Sequence, residues 1–198
     1  MSDKPIFYDS DVLICFLKIN EIKILKELFS KVIISKNVKE ELTNVNAPKN
    51  EVNEINRLIE EKFIEVVEIE VLSSEYSYYK CMINGFWSNG EKLGFGESSA
   101  MALAISNNGI VASNNLKDVS DIRDNFNIPI ITSSLILSFS FELGSNSKNR
   151  INDIWNKIIK NTNQKLPKKT FDEYYEELFE KDCCELLKNY DFKKIYCA

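Results

Sequence analysis

Histidine is absent from this 198-residue chain. That absence removes Ser-His and Cys-His nucleophilic catalysis, histidine-ligated zinc, and hydrolysis by an imidazole base. Any chemistry must rest on carboxylates, lysine, tyrosine, cysteine or a hard cation. Cysteine is sparse, with five residues at positions 15, 81, 183, 184 and 197. The odd count and the lack of a C-x-x-C pair argue against a disulfide framework and against a thiolate zinc site. Reduced thiols are expected, with Cys183 and Cys184 as two small apolar residues on a helix. No apolar run reaches membrane length, and Met1 to Pro5 is polar and charged. Neither a spanning helix nor a signal peptide is expected, and the predicted location is the cytoplasm. Positive charge is in the minority: Lys+Arg 25 against Asp+Glu 30 gives a net charge of −5, a poor signature for a chain that coats nucleic acid non-specifically. Glycine is also scarce, and four of the six fall between Gly85 and Gly96, which marks that stretch as the main loop.

What is present is a 44% hydrophobic chain, enough for one well-filled core. Short β-rich runs alternate with helical patterns, the sign of an α/β fold with a mainly parallel sheet flanked by helices. Strands are expected at Ile6 to Asp9, Val32 to Ser35, Phe63 to Ile69, Gly109 to Ser113 and Ile128 to Thr132. Helices are expected at Asp11 to Phe29, Asn37 to Asn44, Asn50 to Lys62, Ser73 to Ile83, Glu97 to Asn107 and Asp118 to Asn125. Beyond Thr132 the pattern is helical throughout: Ser133 to Leu143, Lys148 to Asn161 and Thr170 to Tyr190. The last of these carries an aromatic stripe expected to dock on the core. From Lys148 to Lys169 the chain is locally basic. Its Lys148, Arg150, Lys157 and Lys160 are candidates for guiding a polyanion, with a solvated helix face as the plain alternative.

Four acids fall where a parallel sheet gathers ligands. Asp9 follows the apolar trio Ile6-Phe7-Tyr8 at a strand's carboxyl end. In "NVKEELTNV" the helical turn puts Val38, Leu42 and Val45 on one face, Glu41 at its edge, and Glu40 away. Glu97 aligns with Ala100, Met101 and Ala104, so it is expected to face inward, where a carboxylate is costly unless compensated. Asp118 follows the strand Ile110 to Ser113 and reads as an N-cap. Taken singly, each acid has a structural alternative in helix capping or dipole compensation. Together they would converge at one end of the sheet, where mutual repulsion calls for a divalent cation. Oxygen-only donors select Mg²⁺ or Mn²⁺.

On these residues the chain resembles the PIN-domain nucleases, especially the toxin ribonucleases of bacterial toxin-antitoxin pairs. The likeness rests on "FYDSDVL" at 7 to 13, "VKEEL" at 38 to 42, "GESSAMALA" at 96 to 104 and "ASNNLKD" at 112 to 118, and it spans roughly Ile6 to Leu143. It implies a three-layer α/β/α fold with five mainly parallel strands, while the helical C-terminal extension after Gly144 is longer than the smallest toxins of that kind require. The expected division is a PIN-like nuclease domain over 1–144 and an extension over 145–198 packed on the same domain. It further implies that Asp9, Glu41, Glu97 and Asp118 are the catalytic acids, with Asp9, Glu97 and Asp118 as metal ligands. Ser10, Asp11, Ser113 and Asn115 would be auxiliary. Asp11 departs from the asparagine or serine usual at its place, and Val119 stands where an aromatic is frequent. The implied activity is metal-dependent hydrolysis of RNA, with an antitoxin as the implied partner and no membrane; a second copy of the chain is the alternative cover for the C-terminal aromatic stripe. Two alternatives remain open at this point: an inactive binding module, and a haloacid-dehalogenase-type phosphatase using Asp9 as nucleophile and Asp11 as acid.

Overall fold

Five apolar runs form strands: β1 (Ile6–Tyr8), β2 (Val32–Ser35), β3 (Ile64–Val67), β4 (Ile110–Ala112) and β5 (Ile130–Ile131). The structure, a computed structural model, describes residues 4–87, 90–164 and 166–187. The strands lie in the order β3-β2-β1-β4-β5, and all four pairings are parallel. Phe7 stands opposite both Ile33 and Val111, which makes β1 the central strand.

Eleven helices are described: α1 (Ser10–Lys18), α2 (Lys23–Leu28), α3 (Lys36–Leu42), α4 (Lys49–Glu60), α5 (Ser74–Ile83), α6 (Phe95–Ser106), α7 (Leu116–Phe126), α8 (Ser133–Glu142), α9 (Lys148–Asn161), α10 (Phe171–Glu177) and α11 (Phe179–Leu187). They form layers on both faces of the sheet because successive strand residues point to opposite sides. Ile6, Tyr8, Ile110, Ala112 and Ile131 share a core with residues of α1, α2, α8, α9 and α10. Phe7, Ile33, Val111 and Ile130 share the other with α6 and α7. The expected α/β/α architecture is the one observed, with a sheet parallel throughout.

The C-terminal helices are part of the first core. Trp155 is fully buried, with its ring 5.8 Å from Phe171 and 5.4 Å from Tyr174, and its indole N–H donates to the Lys168 carbonyl at 3.2 Å. Burying a side chain of this size contributes roughly 1.5–3 kcal/mol, so the stripe is anchored by apolar area. Among the described residues no helix is long and apolar enough to cross a membrane.

Three expected elements differ. The helix expected over Asp11 to Phe29 is two, because Asn20 takes a left-handed φ of 56° and the chain turns before Glu21. Helix α3 stops at Leu42, capped by Thr43, whose hydroxyl bonds the Lys39 carbonyl at 2.8 Å. Val45 therefore lies in the following turn, 99% exposed, rather than on the buried face with Val38 and Leu42. The terminal helix breaks at Leu178 into α10 and α11. The stretch 188–190 that the expectation included lies outside the described residues, as do Cys197 and the Cys184 side chain.

Candidate active site

Asp9 ends β1 and caps α1, its Oδ1 accepting the Ser10 N–H at 2.7 Å. Ser10 Oγ in turn donates to Glu41 Oε2 at 2.9 Å. Glu41 sits half-buried at the edge of α3 while Glu40 is exposed, the placement that the helical geometry predicts. The other Glu41 oxygen accepts the Gly96 N–H at 2.8 Å, at the first turn of α6. Glycine leaves room there: a Cβ at Gly96 would overlap the Glu41 carboxylate and make it move. One residue on, Glu97 is 8% exposed within a helix whose Ala100 and Ala104 permit close packing. Asp11 turns in from the first turn of α1, and its Oδ2 accepts the Asn114 N–H at 2.8 Å.

These side chains wall one cavity of about 460 Å³ at the carboxyl edge of the sheet, where Asp9, Asp11, Glu41 and Glu97 meet Asn114 and Asn115. Two further lining residues, Asn163 and Gln164, come from the segment after α9. Sequence reasoning missed them because a short polar stretch after a helix resembles any surface loop.

Burial and repulsion dominate the electrostatics. Desolvation holds Asp9 well above the usual carboxylate range, and the charges of Asp11 and Glu97 push it further. Asp11 is raised to about 6, chiefly by burial, against the two backbone N–H groups it accepts. Glu97 is raised to about 7 by burial, then by Asp118 and Asp11, with a hydrogen bond from Asn115 only partly opposing. Glu97 Oε1 and Asp11 Oδ1 are buried without any hydrogen-bond partner. Each such orphan oxygen costs free energy that a cation would return.

The remaining expected residues are placed as follows. Asp118 is exposed and lies in the first turn of α7, not at its N-cap, which is Asn115. It does not line the cavity, yet it stands close enough for its charge to raise Glu97, and Asn115 Nδ2 donates to it at 2.7 Å. Ser113 is buried beneath the loop and accepts the Asn115 N–H at 3.1 Å. The basic residues lie on α9 and are largely matched by acids. Arg150 and Lys157 both pair with Glu21, at 2.6 and 2.9 Å, and Lys148 pairs with Asp172 at 2.8 Å. Lys160 is exposed. No lysine or arginine is among the described residues lining the cavity.

The donor set fits a hard divalent cation: oxygen only, acidic, and with two buried oxygens unsatisfied. Among the described residues, however, no three Asp, Glu, Cys or His side chains are drawn into a closed ligand shell. Glu41 is hydrogen-bonded instead to Ser10 and Gly96.

A family model described as a PIN domain matches residues 5–173. No curated protein matches the chain. Among solved structures, a chain from the crystal structure of DNA-bound VapBC from Salmonella typhimurium superposes with a TM-score of 0.52 at 19% identity, covering 66% of this chain and 99% of that one. At that identity the likeness is one of fold.

Proposed function

Because the chain belongs to the PIN-domain family, we propose that it is a divalent-cation-dependent ribonuclease whose cleft is the cavity at the carboxyl edge of the sheet. The observation that carries this reading is the convergence of Asp9, Asp11, Glu41 and Glu97, from three separate helix starts and edges, on one cavity with orphaned buried carboxylate oxygens. The chain has no histidine, and no lysine or arginine is among the described residues lining the cavity, so no side-chain cation there accompanies these acids.

Asp9 and Glu97 would hold a Mg²⁺ or Mn²⁺ ion, with Asp118 reaching in from the rim. Such an ion neutralises the acids and polarises a phosphodiester as a Lewis acid. The chain's own residues then orient the reaction. Glu41, fixed by Ser10 and Gly96, is placed to accept the proton of an attacking water. Asp11 pins the β4–α7 loop through Asn114, so that Asn115 and Asp118 keep their positions. In the hydrolysis one P–O bond forms to the water oxygen, one P–O bond of the RNA backbone breaks, and the proton ends on the leaving oxygen.

The fold likeness to a chain of VapBC and the resemblance to toxin ribonucleases support a narrower version of this reading, a toxin component with an antitoxin partner. One competitor is an inactive PIN-like binding module, since a fold can outlive its function. Incubating a mixed RNA pool with the chain separates them. The ribonuclease reading expects cleavage that requires Mn²⁺ and is abolished by chelator, by Asp9→Asn and by Glu97→Gln. Cleavage indifferent to all three, or no cleavage of any RNA, overturns it.

A further inference from the structure

We propose that Asn163 and Gln164 read the RNA nucleotide beside the scissile phosphate. The inference rests on the ribonuclease reading and names which side chains contact the substrate's base.

The argument begins with the hydrogen-bond donors of the cavity. Ser10 Oγ is spent on Glu41 at 2.9 Å, Asn114 Nδ2 on Ser133 Oγ at 3.0 Å, and Asn115 Nδ2 on Asp118 at 2.7 Å. Neither lysine nor arginine is among the described lining residues. The carboxamides of Asn163 and Gln164 differ from these: both line the cavity, and among the described residues neither side chain makes a hydrogen bond, whereas Asn114 and Asn115 are each already held by one. The backbone at Gln164, by contrast, is held. Thr162 Oγ1 donates to the Ile158 carbonyl at 2.8 Å and accepts the Gln164 N–H at 3.1 Å. Gln164, half-buried at the cavity wall, thus joins a held backbone to an unspent polar tip, and the exposed Asn163 stands beside it.

The chemistry of those tips selects the base over the phosphate. A carboxamide offers a donor pair and an acceptor side by side, which matches the mixed edge of a nucleobase. A phosphate presents acceptors alone and is served better by cations. Single-stranded RNA exposes such edges once its bases unstack. Gln164 also borders a second cavity of about 730 Å³, lined by Ile159, Leu166 and Pro167, with Lys168 and Lys169 and the acids Glu173 and Glu177 beside them. A strand leaving the acids past Gln164 would find an apolar floor for its next base there. Lys168 is paired with Glu177, so Lys169 is the ammonium left to meet the backbone.

The test uses the full chain. In an Asp9→Asn background, where cutting is removed, the affinity for a short single-stranded RNA is read by fluorescence anisotropy with and without Asn163→Ala and Gln164→Ala. In parallel, otherwise native chains with and without these two substitutions cut a randomised RNA pool with Mn²⁺, and the bases flanking each cut are sequenced. Loss of two neutral hydrogen-bonding groups should weaken binding roughly tenfold and flatten base preference at one flanking position. Gln164→Glu, which keeps the shape and removes the donor, should weaken binding in the same direction. In the otherwise native chain, Asn163→Ala and Gln164→Ala should leave Mn²⁺ affinity unchanged; its loss would mean that the acidic cavity itself had collapsed, and would overturn the proposal. Unaltered affinity and unaltered cutting preference in every variant also overturn it, with the ribonuclease reading intact. A native chain that neither binds nor cuts RNA overturns that reading, and this inference with it.

Discussion

Glu41 accepts the Gly96 N–H at 2.8 Å, and its carboxylate occupies the space that a side chain at Gly96 would need. One helix edge and one helix start thus depend on each other, although they are 55 residues apart in sequence.

Gly96→Ala should therefore separate stability from activity. Alanine is the better helix former by up to about 1 kcal/mol, and the tip of Glu41 is flexible enough to swing aside, so the melting temperature should hold or rise. Displacing the proton acceptor by an ångström or so should lower RNA cleavage about 100-fold. Melting curves and initial rates on the same preparation check both halves. Full activity in the alanine variant would show that Glu41 does not work from this position.

The raised carboxylates give a second expectation, with a definite sign. Glu97 titrates near 7 and Asp11 near 6 in the folded chain, whereas in the unfolded chain both release their protons near 4. Between those values the folded state binds more protons than the unfolded one, so this contribution to stability falls as pH rises through about 4 to 7. The difference in stability between the native chain and Glu97→Gln should show that fall. Mn²⁺ competes with protons for the same oxygens, so it should stabilise the chain more at pH 8 than at pH 5. Thermal melts at the two pH values decide, and an equal Mn²⁺ effect at both would contradict the assignment.

Arg150 and Lys157 converge on Glu21, whose side chain is 8% exposed. Replacing both cations by alanine leaves that carboxylate buried and unpaired. The cost should be about 2 kcal/mol, discounted from the fully buried case because the cations are half-exposed. A melting temperature several degrees lower with Mn²⁺ affinity unchanged is expected. A variant that melts normally but loses RNA affinity would instead assign these two residues to the substrate.

Much of this arrangement was legible in the sequence because it is local. Strand-end placement for Asp9, the helix edge for Glu41 and the inward face for Glu97 all follow from the periods of strand and helix. What the sequence could not show depends on contacts between distant segments. Nothing near Glu21 says that it will meet Arg150 and Lys157, because the turn at Asn20 that presents it interrupts an otherwise helical pattern. Nothing near Asn163 and Gln164 marks them as cavity residues, since α9 must first pack through Trp155 and Ile158 before they arrive. Asp118 was misread as an N-cap because the helix begins two residues earlier, at Leu116.

The central claim is that Asp9 and Glu97 share one divalent cation. Anomalous scattering from crystals equilibrated with Mn²⁺ measures this directly. A manganese peak within bonding reach of both carboxylates, absent in Asp9→Asn, is the predicted result. Saturated crystals with no peak between those two side chains, or with manganese bound only elsewhere, would contradict it.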